Sequence, residues 1–165
     1  MIIFEERVQE LINILPPISD GTNSFGINFY WAKDLKDVNA YLKVKDQPYP
    51  LIILVRSREK LISRTSEEVT RKCRFIIATA ERDVNKLNND RWQSSYKNVL
   101  NPLASLFLDA LERSTISRLH DGIELDRVPN YADASKDNQI DIWDTILIDC
   151  TVSINNNCLK PLIKA

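Results

Sequence analysis

The sequence predicts a single α+β domain over 1–165: a mainly antiparallel sheet of about four or five strands, two main helices packed on it, and a long loop between two central strands. Three observations carry this. In Asp141–Asn155, Ile146, Ile148, Cys150, Val152 and Ile154 alternate with Thr145, Asp149, Thr151 and Ser153, the period of a strand with two chemically different faces. Leu51–Val55 is a continuous apolar run of strand length, the mark of burial on both faces. Trp92, Tyr96, Val99, Leu100, Leu103, Phe107, Ala110 and Leu111 keep one helical face over about five turns.

The remaining elements follow along the chain. Phe4, Val8, Leu11, Ile12 and Leu15 recur at helical spacing with glutamates between them, and Pro16 and Pro17 close this first helix. Glu5 and Glu6 suit the positive end of its dipole. A turn-rich passage, SDGTNSFG, leads into a strand at Ile27–Trp31, where β-branched and aromatic residues dominate. Lys33–Tyr41 has no decisive period and admits a short helix. The strand at Val69–Ala80 is half polar at first and then apolar on both faces. Between it and Leu51–Val55, the connection RSREKLISRTSEE (56–68) exceeds a tight turn and reads as a functional loop. Pro102 interrupts the long helix: either Asn101 caps a second helix, or one helix kinks there, and the unbroken apolar phase favours the kink. Ser117–Asn138 is polar and irregular, with a short strand expected near Val128. A polar turn and an amphipathic tail occupy 155–165.

Composition limits the function classes. With 165 residues, 44% hydrophobic and 27% charged, the chain can bury a real core without staples. Its formal charge of −1 argues against a generally basic nucleic-acid binder. Three cysteines (Cys73, Cys150, Cys158) without CxxC spacing imply small hydrophobes in a reducing compartment. No signal peptide and no membrane-crossing run are expected.

The candidate chemical motifs are weak. GTNSFGIN spaces Gly21 and Gly26 as a P-loop does, but Ile27 and Asn28 stand where Lys and Ser/Thr belong, and a strand follows instead of a helix. An ordinary turn is expected. His120, beside Asp121, has no nucleophile elbow to serve and reads as a surface histidine. Asp133, Asp137, Asn138 and Asp141 miss the spacing and central glycine of a calcium loop, so no metal and no cofactor are expected. A metal-dependent nuclease could use Asp46, Glu59 and Lys60, yet adjacent residues in an extended segment should diverge.

Charge is distributed more tellingly. Arg56 to Arg74 holds seven basic and three acidic residues, whereas Asp121 to Asp149 holds eight acidic and two basic. Opposite poles on one subunit can join copies head to tail and close a ring. Alternatively, the two segments neutralise each other across one sheet.

The series YPLIILV, RKCRFIIATA, NNDRWQSSYKNVLNPLASLFLDALERS and DIWDTILIDCTVSI resembles the tail-completion and tail-terminator proteins of tailed bacteriophages over roughly Tyr49 to Ile154, by layout and without a diagnostic motif. That resemblance implies a non-enzymatic virion protein, assembled in the host bacterial cytoplasm, whose copies form a ring at the head–tail junction around the DNA channel. Portal, adaptor or tail proteins would be its partners, with non-specific contact to genomic DNA and none to a membrane. It transfers no catalytic residue. Arg56, Arg58, Lys60 and Arg64 are then expected to face the channel or an adjoining ring, and Asp137, Asp141 and Asp144 the neighbouring subunit. The competing readings are a metal-dependent nucleic-acid enzyme and a small cellular adaptor.

Overall fold

A computed structural model describes residues 4–44, 48–61, 68–81, 85–115, 117–131 and 143–155; for residues 35, 56–61, 68, 130 and 155 the description is of the backbone. The fold is α+β. In chain order the elements are α1 (Phe4–Asn13), β1 (Ile18–Ser19), β2 (Ser24–Phe25), β3 (Asn28–Trp31), α2 (Leu35–Val44), β4 (Leu51–Leu61) and β5 (Glu68–Ala80). A helix follows as α3 (Asn88–Arg91), a π-helical stretch (Trp92–Leu100) and α4 (Asn101–Arg113), then β6 (Ser117–Leu119), β7 (Glu124–Tyr131) and β8 (Trp143–Asn155).

Six strands make the main sheet in the order β3-β4-β5-β8-β6, with β7 also paired to β8, so β6 and β7 lie end to end along one edge of β8. Only β3 and β4 are parallel; every other pair is antiparallel. β8 is therefore a central strand, as its alternation predicts. Its register with β5 is unbroken from Glu68↔Asn155 to Ala80↔Trp143.

One face of the sheet carries the main core. Ile52, Leu54, Phe75, Ile77, Ile146, Ile148, Cys150 and Val152 pack there against Phe4, Val8 and Ile12 of α1 and against Tyr96, Leu100, Leu103, Phe107 and Leu111 of the long helix. Phe75 and Phe107 meet edge to face at 4.9 Å and 71°, a favoured aromatic geometry. The helix resolves the alternatives at Pro102 in favour of one continuous helix, since Leu100 and Asn101 both keep helical dihedrals. The proline ring would strike the carbonyl of Asn98 in an ordinary α-helix. Widening the preceding turns relieves that crowding, and the Asn101 N–H accordingly donates five residues back, to the Tyr96 carbonyl.

Among the described residues, the second face is covered only in part. Val38 and Leu42 of α2, with Ala32 and Trp143, close over Leu51, Ile53, Ile76 and Ala78. A ten-residue helix spans about 15 Å, whereas a thirteen-residue strand spans about 43 Å, so α2 can shield about a third of β5 or β8. The sequence anticipates this division, because the FIIA part of β5 is apolar on both faces and Lys72 and Arg74 are exposed.

Three sequence expectations change. Residues 56–61 are not loop: β4 continues through them, after a bulge between Leu54 and Arg56, and pairs from Arg56↔Arg74 to Leu61↔Val69. Only 62–67 of the expected 56–68 loop lie outside the described residues. The strand expected near Val128 is present as β7, longer than expected and with Pro129 at an irregular position on the sheet edge, where a missing N–H is tolerated, and the polar stretch before it adds a further strand, β6. Among the described residues the main sheet has six strands, against about four or five expected, and β1 and β2 form a separate hairpin. The tail, 156–165, lies outside the described residues.

Candidate interaction surface

The part of the second sheet face that α2 does not reach is built by register. Moving away from α2, Arg56 stands opposite Arg74, which stands opposite Asp149, with Glu124 of β7 beyond. Two residues further, Arg58 is opposite Lys72 and Lys72 opposite Thr151. Two further still, Lys60 is opposite Thr70, Thr70 opposite Ser153, and Ser153 opposite Arg118 of β6. Successive rows are about 6.6 Å apart and neighbouring strands about 4.8 Å.

The first row is neutralised internally. Arg74 forks onto Asp149, with Nε donating to Oδ1 at 2.7 Å and Nη2 to Oδ2 at 2.5 Å, and the carboxylate holds the guanidinium proton above its ordinary pKa. The two oppositely charged segments of the sequence thus do meet across one sheet, at this row. The next row differs: the cross-strand neighbours of exposed Lys72 are Arg58 and Thr151, and no acid stands opposite it. Arg71 leaves this surface for the core side, where it binds Glu5 of α1 at 2.8 Å and lies over the Phe4 ring.

His120 closes the far edge. Its backbone N–H donates to the Thr151 carbonyl at 2.9 Å, and its Nε2 lies 2.6 Å from Ser153 Oγ. Ser153 sits within a regular strand, without the strained elbow that would present a nucleophile. The pair fastens the 120–123 turn to the sheet.

The expected site residues divide as follows. Arg56, Arg58 and Lys60 occupy consecutive rows of β4, as described. Arg64, Asp137 and Asp141 lie outside the described residues, as do Asp46 and Asp133. Glu59 and Lys60 are successive positions of a strand, opposite Arg71 and Thr70, and successive positions alternate faces, so the two do not converge. Asp144 requires a correction. It is fully buried on the core face, where Arg91 Nη1 donates to its Oδ1 at 2.6 Å and Arg91 Nε donates to the Lys86 carbonyl at 3.0 Å. Burial leaves it no surface to offer a neighbouring subunit. Beside it, the Tyr96 hydroxyl donates to the Thr145 carbonyl at 3.3 Å. Burial, and then the charge of Asp144, push the Tyr96 pKa up to about 12.

The other polar features are structural in form. GTNSFGIN is a turn: Asp20 Oδ1 accepts from the N–H groups of Thr22 and Asn23 at 2.8 and 2.7 Å, and Gly21 takes φ +93°. A cleft of about 240 Å³ lies between this turn, Tyr49, Thr79 and Ser94, with the Lys86–Glu81 ion pair (3.0 Å) in its wall. Half-exposed Trp92 stacks on Tyr96 and receives the Arg127 guanidinium at 5.9 Å, while Arg127 Nε donates to Asn101 Oδ1. These contacts tie β7 to the long helix. Among the described residues, no three His, Cys, Asp or Glu side chains group as metal ligands, and no helix is long and apolar enough to cross a membrane.

Sequence reasoning counted Lys72 within the basic pole without singling it out and passed over Arg118. The period-two spacing of Thr70, Lys72 and Arg74 was a usable signal. Arg118 gave none, because only the pairing of β6 with β8 brings it beside Ser153. No family model matches the chain, and no curated protein matches it at a significant level.

Proposed function

We propose that the protein is a structural, non-enzymatic subunit of a tailed-bacteriophage virion, whose copies form a ring at the head–tail junction around the DNA channel. The observation that carries the reading is a sheet with one face packed against helices and the other, among the described residues, covered only in part and carrying exposed Lys72, Arg74 and Arg118. A surface of that extent is a means of assembly. The segments on which the resemblance rests support it further, since β4, β5, the 88–113 helix and β8 form one packed unit. Portal, adaptor or tail proteins are the partners on this reading, and passing DNA is a non-specific one through phosphate contacts. The protein is assembled into the virion in the host bacterial cytoplasm.

The test is mass measurement and negative-stain imaging of the purified protein, alone and with virion components. Rings seated on a preformed platform are the expected result. Divalent-metal-dependent cleavage of DNA by the purified protein, or virions complete without it, would overturn the reading. A monomer in isolation is compatible with it, because a platform that binds the assembled form shifts the equilibrium.

A further inference from the structure

We infer that the basic sheet face around Lys72 and Arg118 receives the acidic β7 edge of a second copy, through Asp121, Glu124 and Asp126. The inference rests on the reading of the chain as a self-assembling subunit and names the contact between neighbours.

Four observations carry it. All five side chains are exposed, and none has an ion-pair partner among the described residues. Like charges directly opposite each other destabilise paired strands, and Lys72 is set opposite Arg58 with no acid across from it on β8. Among the described residues no ion pair joins Lys72 or Arg118 to these acids, although Asp126 acts at longer range on Arg74. In backbone register Lys72 is two strands and one row from Glu124, about 12 Å. Finally, β7 lies on the edge of the sheet, so Glu124, Asp126 and, in the preceding turn, Asp121 lie along a rim that can be laid on the basic rows of the next molecule. One copy then offers its face to one neighbour and its edge to another, a heterologous contact that closes into a ring when the rotation permits.

The same arrangement disfavours nucleic acid as the occupant. Asp149, Glu124 and Asp126 border the basic rows on the same face, and a phosphate backbone tracking the sheet would run onto them. A second copy brings both signs in register with both patches.

Charge exchange between the two halves tests the contact. A face variant, Lys72→Glu with Arg118→Glu, and an edge variant, Glu124→Lys with Asp126→Lys, should each associate with themselves on the order of tenfold more weakly than the unaltered protein. Mixing the two variants should restore association, since each then supplies the sign the other lacks. Both alter exposed side chains only, and unchanged thermal unfolding checks that each is folded. Association that is insensitive to either variant, or that mixing fails to restore, overturns the inference. So does retention of DNA lost in the face variant alone, which would make the surface a phosphate-binding one. Rings of both variants on virion components would refute the contact and leave the connector reading intact. Mutual rescue without rings on any platform would do the reverse.

Discussion

Substituting Asp144 separates a core role from a surface role by a large margin. In the folded chain its carboxylate and the Arg91 guanidinium are 0% and 1% exposed and 2.6 Å apart. Asp144→Ala removes the carboxylate that the enclosed guanidinium binds, and breaking such a buried pair costs about 3–5 kcal/mol. Domains are stable by only about 5–15 kcal/mol, so the variant should sit near the edge of folding at 37 °C. With an m-value of about 2 kcal/mol/M, a loss of about 4 kcal/mol lowers the urea midpoint by about 2 M. Urea unfolding followed by circular dichroism and by tryptophan fluorescence measures it. The double variant Arg91→Met with Asp144→Leu should recover most of the loss, since apolar replacement removes both charges together. A midpoint shift below about 0.5 M, accompanied by weakened self-association, would refute the reasoning and return Asp144 to a subunit interface.

Three further outcomes follow from the core. Phe107→Ala removes a fully buried ring and its edge contact with Phe75, so thermal or urea unfolding should register a loss of about 3–5 kcal/mol; less than about 1 kcal/mol would contradict the packing. Cys73 and Cys150 face each other across β5 and β8, and burial, then the neighbouring thiol, push Cys150 up to about 12. At pH 8 about one part in 10⁴ of such a thiol is thiolate, so a maleimide should label Cys150 only on unfolding; rapid native labelling would show the site to be open. Stability should also fall in alkali. Tyr96 and Cys150 are both raised to about 12 when folded, so above their unfolded values the native state holds protons that the unfolded state has released. Their stabilisation is complete below about pH 8.5 and is lost as pH rises toward 12, Tyr96 accounting for about 3 kcal/mol at 1.36 kcal/mol per unit. Urea midpoints from pH 8 to 11 check this, and Tyr96→Phe should flatten the decline.

Where a segment's own period decided its state, the sequence was legible. Ile146 to Ile154 alternate and line the core; Tyr96 to Leu111 hold a helical stripe and lie against them. Leu51–Leu54 and Phe75–Ala78 are buried on both faces, as their unbroken apolar runs require. In the basic arm of β4, Arg56, Arg58 and Lys60 form a charge run that suggests a loop, whereas their period of two marks one face of a strand. β6 and β7 lacked any such mark. Their strand state comes from the free edge of β8, a partner supplied by topology and not by local propensity. Arg91 and Asp144 are 53 residues apart, and no local pattern announces a pair that only the docking of the long helix onto β8 creates.

The division of the second sheet face explains why its exposed rows gather opposite charges into separate groups. α2 reaches about a third of the long strands, and the rest must be polar to stand in water. Solvation alone would be served by mixed signs in each row, which is how Arg74 and Asp149 are arranged. The next two rows break that arrangement: described basic residues Lys72 and Arg118 have Thr151 and Ser153 as their neighbours on β8, while the acids are collected on β7. Segregation of this kind sacrifices pairing within the subunit, where exposed pairs contribute little, for long-range complementarity between subunits, where it selects orientation and speeds encounter. It also predicts how association responds to salt. Contact between the separated patches should weaken progressively as the screening length falls from about 10 Å at 0.1 M to about 3 Å at 1 M, while the internal core pair of Arg91 and Asp144, shielded from the ions, should hold the fold unchanged over the same range.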